Sequence, residues 1–214
     1  MHSNAANRCS RPGICRVVLL AMLSGSQVGA IADGATEPSY DCSRAESSVE
    51  ELICSDEALA SLDRQLAQVW NSVLSLSRDM VDLPMVKAEQ RGWIKGRNDC
   101  WKDNDVRGCV ENSYKKRIAE LQARWRLVGA TGPVFFACDG NPANEIVATF
   151  FASDPPAAIL ERGDSSAVTY LVRSGSGAKY EGQNLTFWNK GLEATVTWGY
   201  DSEPMTCVVR KITR

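Results

Sequence analysis

The chain has 214 residues, of which 44% are hydrophobic and 23% charged, a globular balance that excludes wholesale disorder and leaves room for two small domains. Its formal net charge of −2 gives it no electrostatic reason to prefer nucleic acid. The single histidine, His2, lies in a segment that reads as a removable leader, so a mature chain without it has no Ser-His-Asp or Cys-His nucleophile and no histidine-containing zinc site.

Residues 1–32 carry Arg8, Arg11 and Arg16 with no acid, then the apolar run Val17 to Leu23, then small residues ending in Ala30-Ile31-Ala32. This is the order of a secretory signal peptide, and its apolar run is too short to span a bilayer. Cleavage is expected after Ala32. Leu23-Ser24-Gly25-Ser26 resembles a bacterial lipobox with serine in place of the lipid-bearing cysteine, so the expectation is a periplasmic protein without a stable membrane anchor. Loss of the leader removes three of 24 basic residues and none of 26 acidic ones, taking the charge from −2 to −5. A basic protein partner would be steered toward such a chain.

Residues 33–39 are small and polar and read as a flexible start. Leu59, Leu62, Leu66, Val69, Val73 and Leu76 then recur at steps of three and four, predicting a helix from about Asp56 to Ser77 with Ser55 as its cap. Pro84 suits the first turn of a second helix carrying Val86, Gln90, Trp93 and Arg97 along one side. After a break at 103–108, Val110, Tyr114, Ile118, Leu121, Trp125 and Val128 mark a third. Together these predict a small α-helical bundle over residues 40–128.

Gly129 to Gly132 reads as a linker, and beyond it the periodicity changes from helical to alternating. Candidate strands are 134–138, 145–152, 157–162, 167–173, 178–181, 185–189, 193–198 and 205–212. The expected fold class is therefore α+β in two domains, the helical bundle followed by an eight-stranded antiparallel β-barrel over 133–214.

Six cysteines remain after the leader, an even number that reads as disulfides in an exported protein. Cys138 and Cys207, in the first and last strands, would close nearly the whole barrel, a loop worth about 4 kcal/mol in the chain-entropy account. Cys42, Cys54, Cys100 and Cys109 allow three pairings. Short local loops favour Cys42 with Cys54 and Cys100 with Cys109, and the sequence leaves the choice open. No metal or cofactor is expected.

The helical segment contains Asp41-Cys42-Ser43, Leu52-Ile53-Cys54-Ser55-Asp56, Gln90-Arg91-Gly92-Trp93-Ile94-Lys95, Arg97-Asn98-Asp99-Cys100 and Arg117-Ile118-Ala119-Glu120-Leu121. These strings resemble the LprI-type domain, DUF1311, a family associated in part with lysozyme inhibition. Trp93, Trp101 and Arg97 read either as scaffold or as a binding surface.

Within the barrel segment, Ser176-Gly177-Ala178-Lys179-Tyr180 and Trp188-Asn189-Lys190-Gly191 resemble the Ser-Gly-x-x-Tyr and Trp-x-Lys-Gly motifs of the MliC/PliC inhibitors of c-type lysozyme. The resemblance implies that both loops enter the cleft of a c-type lysozyme, with Ser176, Lys190, Gly177, Tyr180, Trp188 and Gly191 forming the lysozyme-binding site. Chemically, a retaining glycosidase holds two carboxyl groups about 5 Å apart, one protonated and one ionised. Lys190 supplies a full positive charge for the ionised member, and a serine hydroxyl, which both donates and accepts, suits the protonated one. Tyr180 and Trp188 read more naturally as packing anchors for these loops, while Gly177 and Gly191 supply backbone freedom.

Readings from other classes are weaker. A carboxylate-based periplasmic hydrolase would need paired acids, whereas Glu181, Glu193, Asp201 and Glu203 are scattered without acid/base spacing. A carrier for a small apolar ligand would need a wider barrel. An envelope adaptor, with the helical domain recognising a second partner, fits the two-domain organisation.

Overall fold

The structure is a computed structural model that describes residues 36–77 and 83–210. The leader, its cleavage site and the lipobox-like string lie outside the described residues, as do the first residues of the expected flexible start. The end of that start is tied down. The Ser39 backbone N–H donates to the Asp63 carboxylate at 2.7 Å, and Arg64 donates to the Glu37 carbonyl at 2.6 Å.

Four α-helices come first: α1 (Ser48–Ser55), α2 (Glu57–Leu76), α3 (Leu83–Asn98) and α4 (Val106–Arg124). The predicted helix beginning near Asp56 is preceded by α1, and Asp56 rather than Ser55 is the cap. Its carboxylate accepts from the Ala58 and Leu59 N–H groups at 2.9 and 3.1 Å, satisfying two donors that the first helical turn leaves open. The Ser55 hydroxyl instead donates to the Leu52 carbonyl within α1. Val49, Ile53, Leu59, Leu66, Val73, Val110, Tyr114, Ile118 and Leu121 form the buried core between the helices. Disulfides Cys42–Cys54 and Cys100–Cys109 pin the chain where it enters α1 and where it turns from α3 into α4.

Eight strands follow: β1 (Ala130–Cys138), β2 (Asn141–Phe151), β3 (Ala157–Arg162), β4 (Ser165–Val172), β5 (Ala178–Gly182), β6 (Leu185–Lys190), β7 (Glu193–Trp198) and β8 (Met205–Val209). All neighbours are antiparallel, and β1 pairs with β8 to close the barrel. The segment read as a linker is part of β1. Ala130 and Thr131 pair with Phe151 and Phe150, and the register then slips between Thr131 and Val134. Gly132 and Pro133 therefore sit in a bulge, which tolerates a proline that the regular ladder would reject.

Phe136, Ile146, Leu160, Tyr180, Phe187 and Val196 fill the barrel interior, with Phe136 and Phe187 edge to face at 5.3 Å. Cys138 and Cys207 face each other across the closing β1–β8 pair and are bonded.

The two halves share an apolar seam. Ala119 and Ala123 of α4 are buried against Phe151 and Ala157, with Ile159, Val168 and Tyr170 packed at its border. Small side chains on α4 permit this close approach, and the Lys116 ammonium lies 5.6 Å from the centre of the Tyr170 ring. The seam covers the outer face of β3 and β4 and leaves the β5–β7 side of the barrel open.

Candidate functional site

Ladder register decides which loops meet. Pairing of Ala178 with Asn189 and of Lys179 with Trp188 brings the loop between β4 and β5 beside the turn between β6 and β7, at one end of the barrel. Ser176 and Lys190 thus become neighbours although fourteen residues separate them in the chain.

The β4–β5 loop is held by its own polar atoms and by an indole. The Ser174 hydroxyl lies within hydrogen-bonding distance of the Gly177 and Ser176 carbonyls, at 3.0 and 3.3 Å. Trp188 Nε1–H donates to the Ser176 carbonyl at 2.7 Å. Gly177 has φ +66°, and a β-carbon there would collide with the Asn189 carbonyl oxygen, so the close approach of the two loops requires glycine. Gly191, at φ +64°, is the first of two central residues in the β6–β7 hairpin, the geometry of a type II′ turn.

With its carbonyl engaged, Ser176 leaves its hydroxyl to solvent, and Lys190 is likewise exposed. Among the described residues no ion pair engages the Lys190 ammonium. A shallow cavity of about 180 Å³ lies alongside, lined by Trp188, Lys190, Glu193 and Thr206. The arrangement can present one cation and one alcohol to acidic groups of a partner at small entropic cost, because the backbones beneath them are already fixed.

Two of the expected site residues have unequal roles. Trp188 is 40% exposed and clasps the Ser176 loop. Tyr180 is 8% exposed, packs against Phe150 at 5.5 Å inside the barrel, and has its phenol pKa raised by burial, so it supports the β5 backbone from within. Sequence reasoning missed Ser174, whose spacing to Gly177 is a serine-turn signal, and Leu192, which stands 65% exposed at the tip of the Lys190 turn.

The helical part contains a separate buried polar cluster. Arg97 is 4% exposed, and its guanidinium donates to the Tyr114 hydroxyl at 2.6 Å and to Asn98 Oδ1 at 3.0 and 2.7 Å. Tyr114 in turn donates to Asp63, itself 7% exposed, at 2.8 Å. Burial raises the Tyr114 pKa, and burial likewise pushes the Tyr40 phenol up to about 12. At Glu50 burial acts upward but is outweighed by the Glu46 N–H, the Asn98 amide and Arg97, leaving the carboxyl below its ordinary value. Trp93 stacks edge to face on Tyr114 at 5.3 Å, whereas Trp101 lies on the surface beneath the Lys102 ammonium. No group of three or more His, Cys, Asp or Glu among the described residues is arranged to hold a metal ion.

Comparison with known proteins divides the chain in the same way. Residues 41–121 match the family described as lysozyme inhibitor LprI, and residues 136–205 match the family described as membrane-bound lysozyme inhibitor of c-type lysozyme, MliC. Proteins named lipoprotein LprI from Mycobacterium bovis and Mycobacterium tuberculosis are 30% identical over 151 residues, covering 70% of this chain and 74% of theirs.

The chain belongs to the LprI family.

Its LprI portion holds the Arg97 cluster, and its MliC portion holds the Ser176 and Lys190 loops. A crystal structure of Pseudomonas aeruginosa MliC in complex with hen egg white lysozyme matches 39% of this chain and 86% of that chain, at 24% identity and a TM-score of 0.33. No described helix is long and apolar enough to cross a membrane.

Proposed function

We propose that this protein is a stoichiometric inhibitor of c-type lysozyme in the bacterial periplasm, acting through the barrel. Ser176 and Lys190 enter the enzyme's cleft and occupy its two catalytic carboxyl groups, so that peptidoglycan is protected. The observation that carries the reading is the fixed adjacency of two loops whose serine hydroxyl and lysine ammonium both face solvent. The MliC match over this same segment supports it, as does the lysozyme-inhibitor description of the family that matches the helical half.

The ammonium pairs with the ionised carboxylate, and the hydroxyl meets the protonated one. Since the inserted loops carry no glycosidic bond, the enzyme has nothing to cleave. A hydrogen bond to a charged group contributes about 1.5–3 kcal/mol and a neutral one about 0.5–1.5 kcal/mol, so deleting the Lys190 side chain weakens binding by roughly one to two decades and deleting the Ser176 hydroxyl by up to about one.

Affinity for a c-type lysozyme measured by calorimetry tests the assignment. Lys190→Ala should raise Kd about ten- to hundredfold and Ser176→Ala about two- to tenfold, both with an unchanged melting temperature, since both side chains are exposed. Wild-type affinity in both variants would remove these residues from the interface.

A further inference from the structure

The helical half contains a cleft that inhibition through the barrel leaves unused. It encloses about 340 Å³, near the lower end of the roughly 300–1,000 Å³ typical of ligand sites. Its walls are Tyr40, Trp70, Trp93 and Ile94, and its polar edge is supplied by Gln90, Arg97 and the carboxylates of Asp63 and Glu50.

The charges in this cleft narrow what it can accept. A cationic ligand would compete with Arg97, whose guanidinium already lies 5.7 Å from the Trp93 ring centre and 5.5 Å from that of Tyr114. An anion would approach Asp63 and Glu50, while the compensating charge of Arg97 is already spent on Tyr114, Asn98 and Glu50. A wholly apolar ligand would strip water from the partly exposed Gln90 and Glu50 without replacing their hydrogen bonds. A neutral ligand with one apolar face and one edge of hydroxyl or amide groups satisfies both sides, and a pyranose ring has that shape and chemistry.

The edge is also preorganised. Ser39 and Tyr114 fix the Asp63 carboxylate, Asn98 and Tyr114 fix Arg97, and Arg117 Nε donates to the Gln90 side-chain oxygen at 3.0 Å, orienting the amide nitrogen as the end left to donate. Partly buried indoles, Trp70 and Trp93, border the same space and offer flat surfaces for the C–H face of a sugar.

We infer that the cleft between α2 and α3 is a binding site for a neutral pyranoside, of the class of the N-acetylated sugars in a cell-wall glycan chain. The fit to a neutral pyranoside does not rest on the barrel's action on lysozyme, whereas the choice of cell-wall sugars rests on that reading. A chain holding such a glycan would be placed beside the polymer that the barrel protects.

Isothermal titration of the full chain with the β-1,4-linked tetramer of N-acetylglucosamine tests this, in the absence of lysozyme. Saturable binding is expected, weakened at least tenfold in Trp70→Ala. Ile94→Arg, placed on the exposed rim of the cleft, should abolish it while leaving the thermal transition intact, and so keeps the test decisive even if Trp70→Ala fails to fold. Lys190→Ala should bind the tetramer as the wild type does. The inference is overturned by absence of saturable binding at millimolar sugar, by binding that Ile94→Arg leaves unchanged, or by binding that Lys190→Ala removes.

Discussion

Trp188 and Ser176 are joined by a 2.7 Å hydrogen bond from the indole nitrogen to the serine carbonyl, which ties the end of β6 to the loop that enters β5. The bond engages the serine's backbone oxygen, while the residue itself stays exposed. Trp188→Phe keeps an aromatic ring and deletes the donor. Since one neutral hydrogen bond contributes about 1 kcal/mol to the folded state, this variant should melt roughly 2–4 °C lower and inhibit lysozyme up to about fivefold less tightly. Calorimetric affinity alongside a thermal melt separates the two effects.

The two motif glycines should respond differently to alanine. Gly177 has a positive φ and the Asn189 carbonyl against the site of a β-carbon, while Gly191 has a positive φ with open space around it. Gly191→Ala should therefore cost only the penalty of holding a non-glycine residue at positive φ, about 1–3 kcal/mol. Gly177→Ala should cost more and also displace Ser176, lowering both stability and inhibition. Urea denaturation of the two variants checks the order.

Loss of the barrel's staple should also lower stability. Cys138 and Cys207 are fully buried in the strand pair that closes the barrel, with a sequence separation of 69. Cys138→Ser should destabilise by about 2–5 kcal/mol, read as a fall in the urea midpoint. A midpoint within error of the wild type would mean that ladder pairing alone closes the barrel.

Much of this architecture is legible in the sequence because periodicity reports burial directly. The seven-residue spacing of Leu59, Leu66 and Val73, within a pattern of steps of three and four, reads as a helix face, and all three are buried; the candidate strands at 157–162 and 193–198 have the bounds of β3 and β7. What periodicity cannot convey is how two signals share one residue. Asp56 ends α1 and caps α2, which hides α1 from a reading by spacing, and Gly132-Pro133 has a linker's composition but occupies a bulge inside β1. At the site, motif spacing places Ser176 and Lys190 on neighbouring loops. Only the three-dimensional register reveals that Tyr180 points into the barrel while Trp188 grips the Ser176 carbonyl. The Arg97–Tyr114–Asp63 cluster joins residues from three different helices, and no local pattern announces it.

Acid should reveal the role of the Asp56 cap. Its carboxyl is held below its ordinary value chiefly by the Leu59 N–H, followed by Arg107, which donates at 2.8 Å. A depressed folded-state pKa contributes stability that is present above the unfolded aspartate value, near 3.9, and is lost as pH falls through the lower folded value. Asp56→Asn, which keeps an acceptor oxygen but no charge, should be less stable than wild type at pH 7 by up to about 1 kcal/mol, the pair being partly solvent-exposed. Below about pH 4 that difference should shrink toward zero. Denaturant titrations at pH 7, 5 and 3 check it, and a gap that widens toward acid would show that the charge does not stabilise the cap.

The most direct test of lysozyme inhibition is a titration of c-type lysozyme activity on bacterial cell walls with the intact protein at enzyme concentrations well above Kd. The account predicts a linear loss of activity that ends at one equivalent, with the Ser176→Ala, Lys190→Ala double variant leaving the enzyme active at that ratio. Undiminished wall lysis in the presence of an equimolar or greater amount of the folded wild-type protein would contradict it.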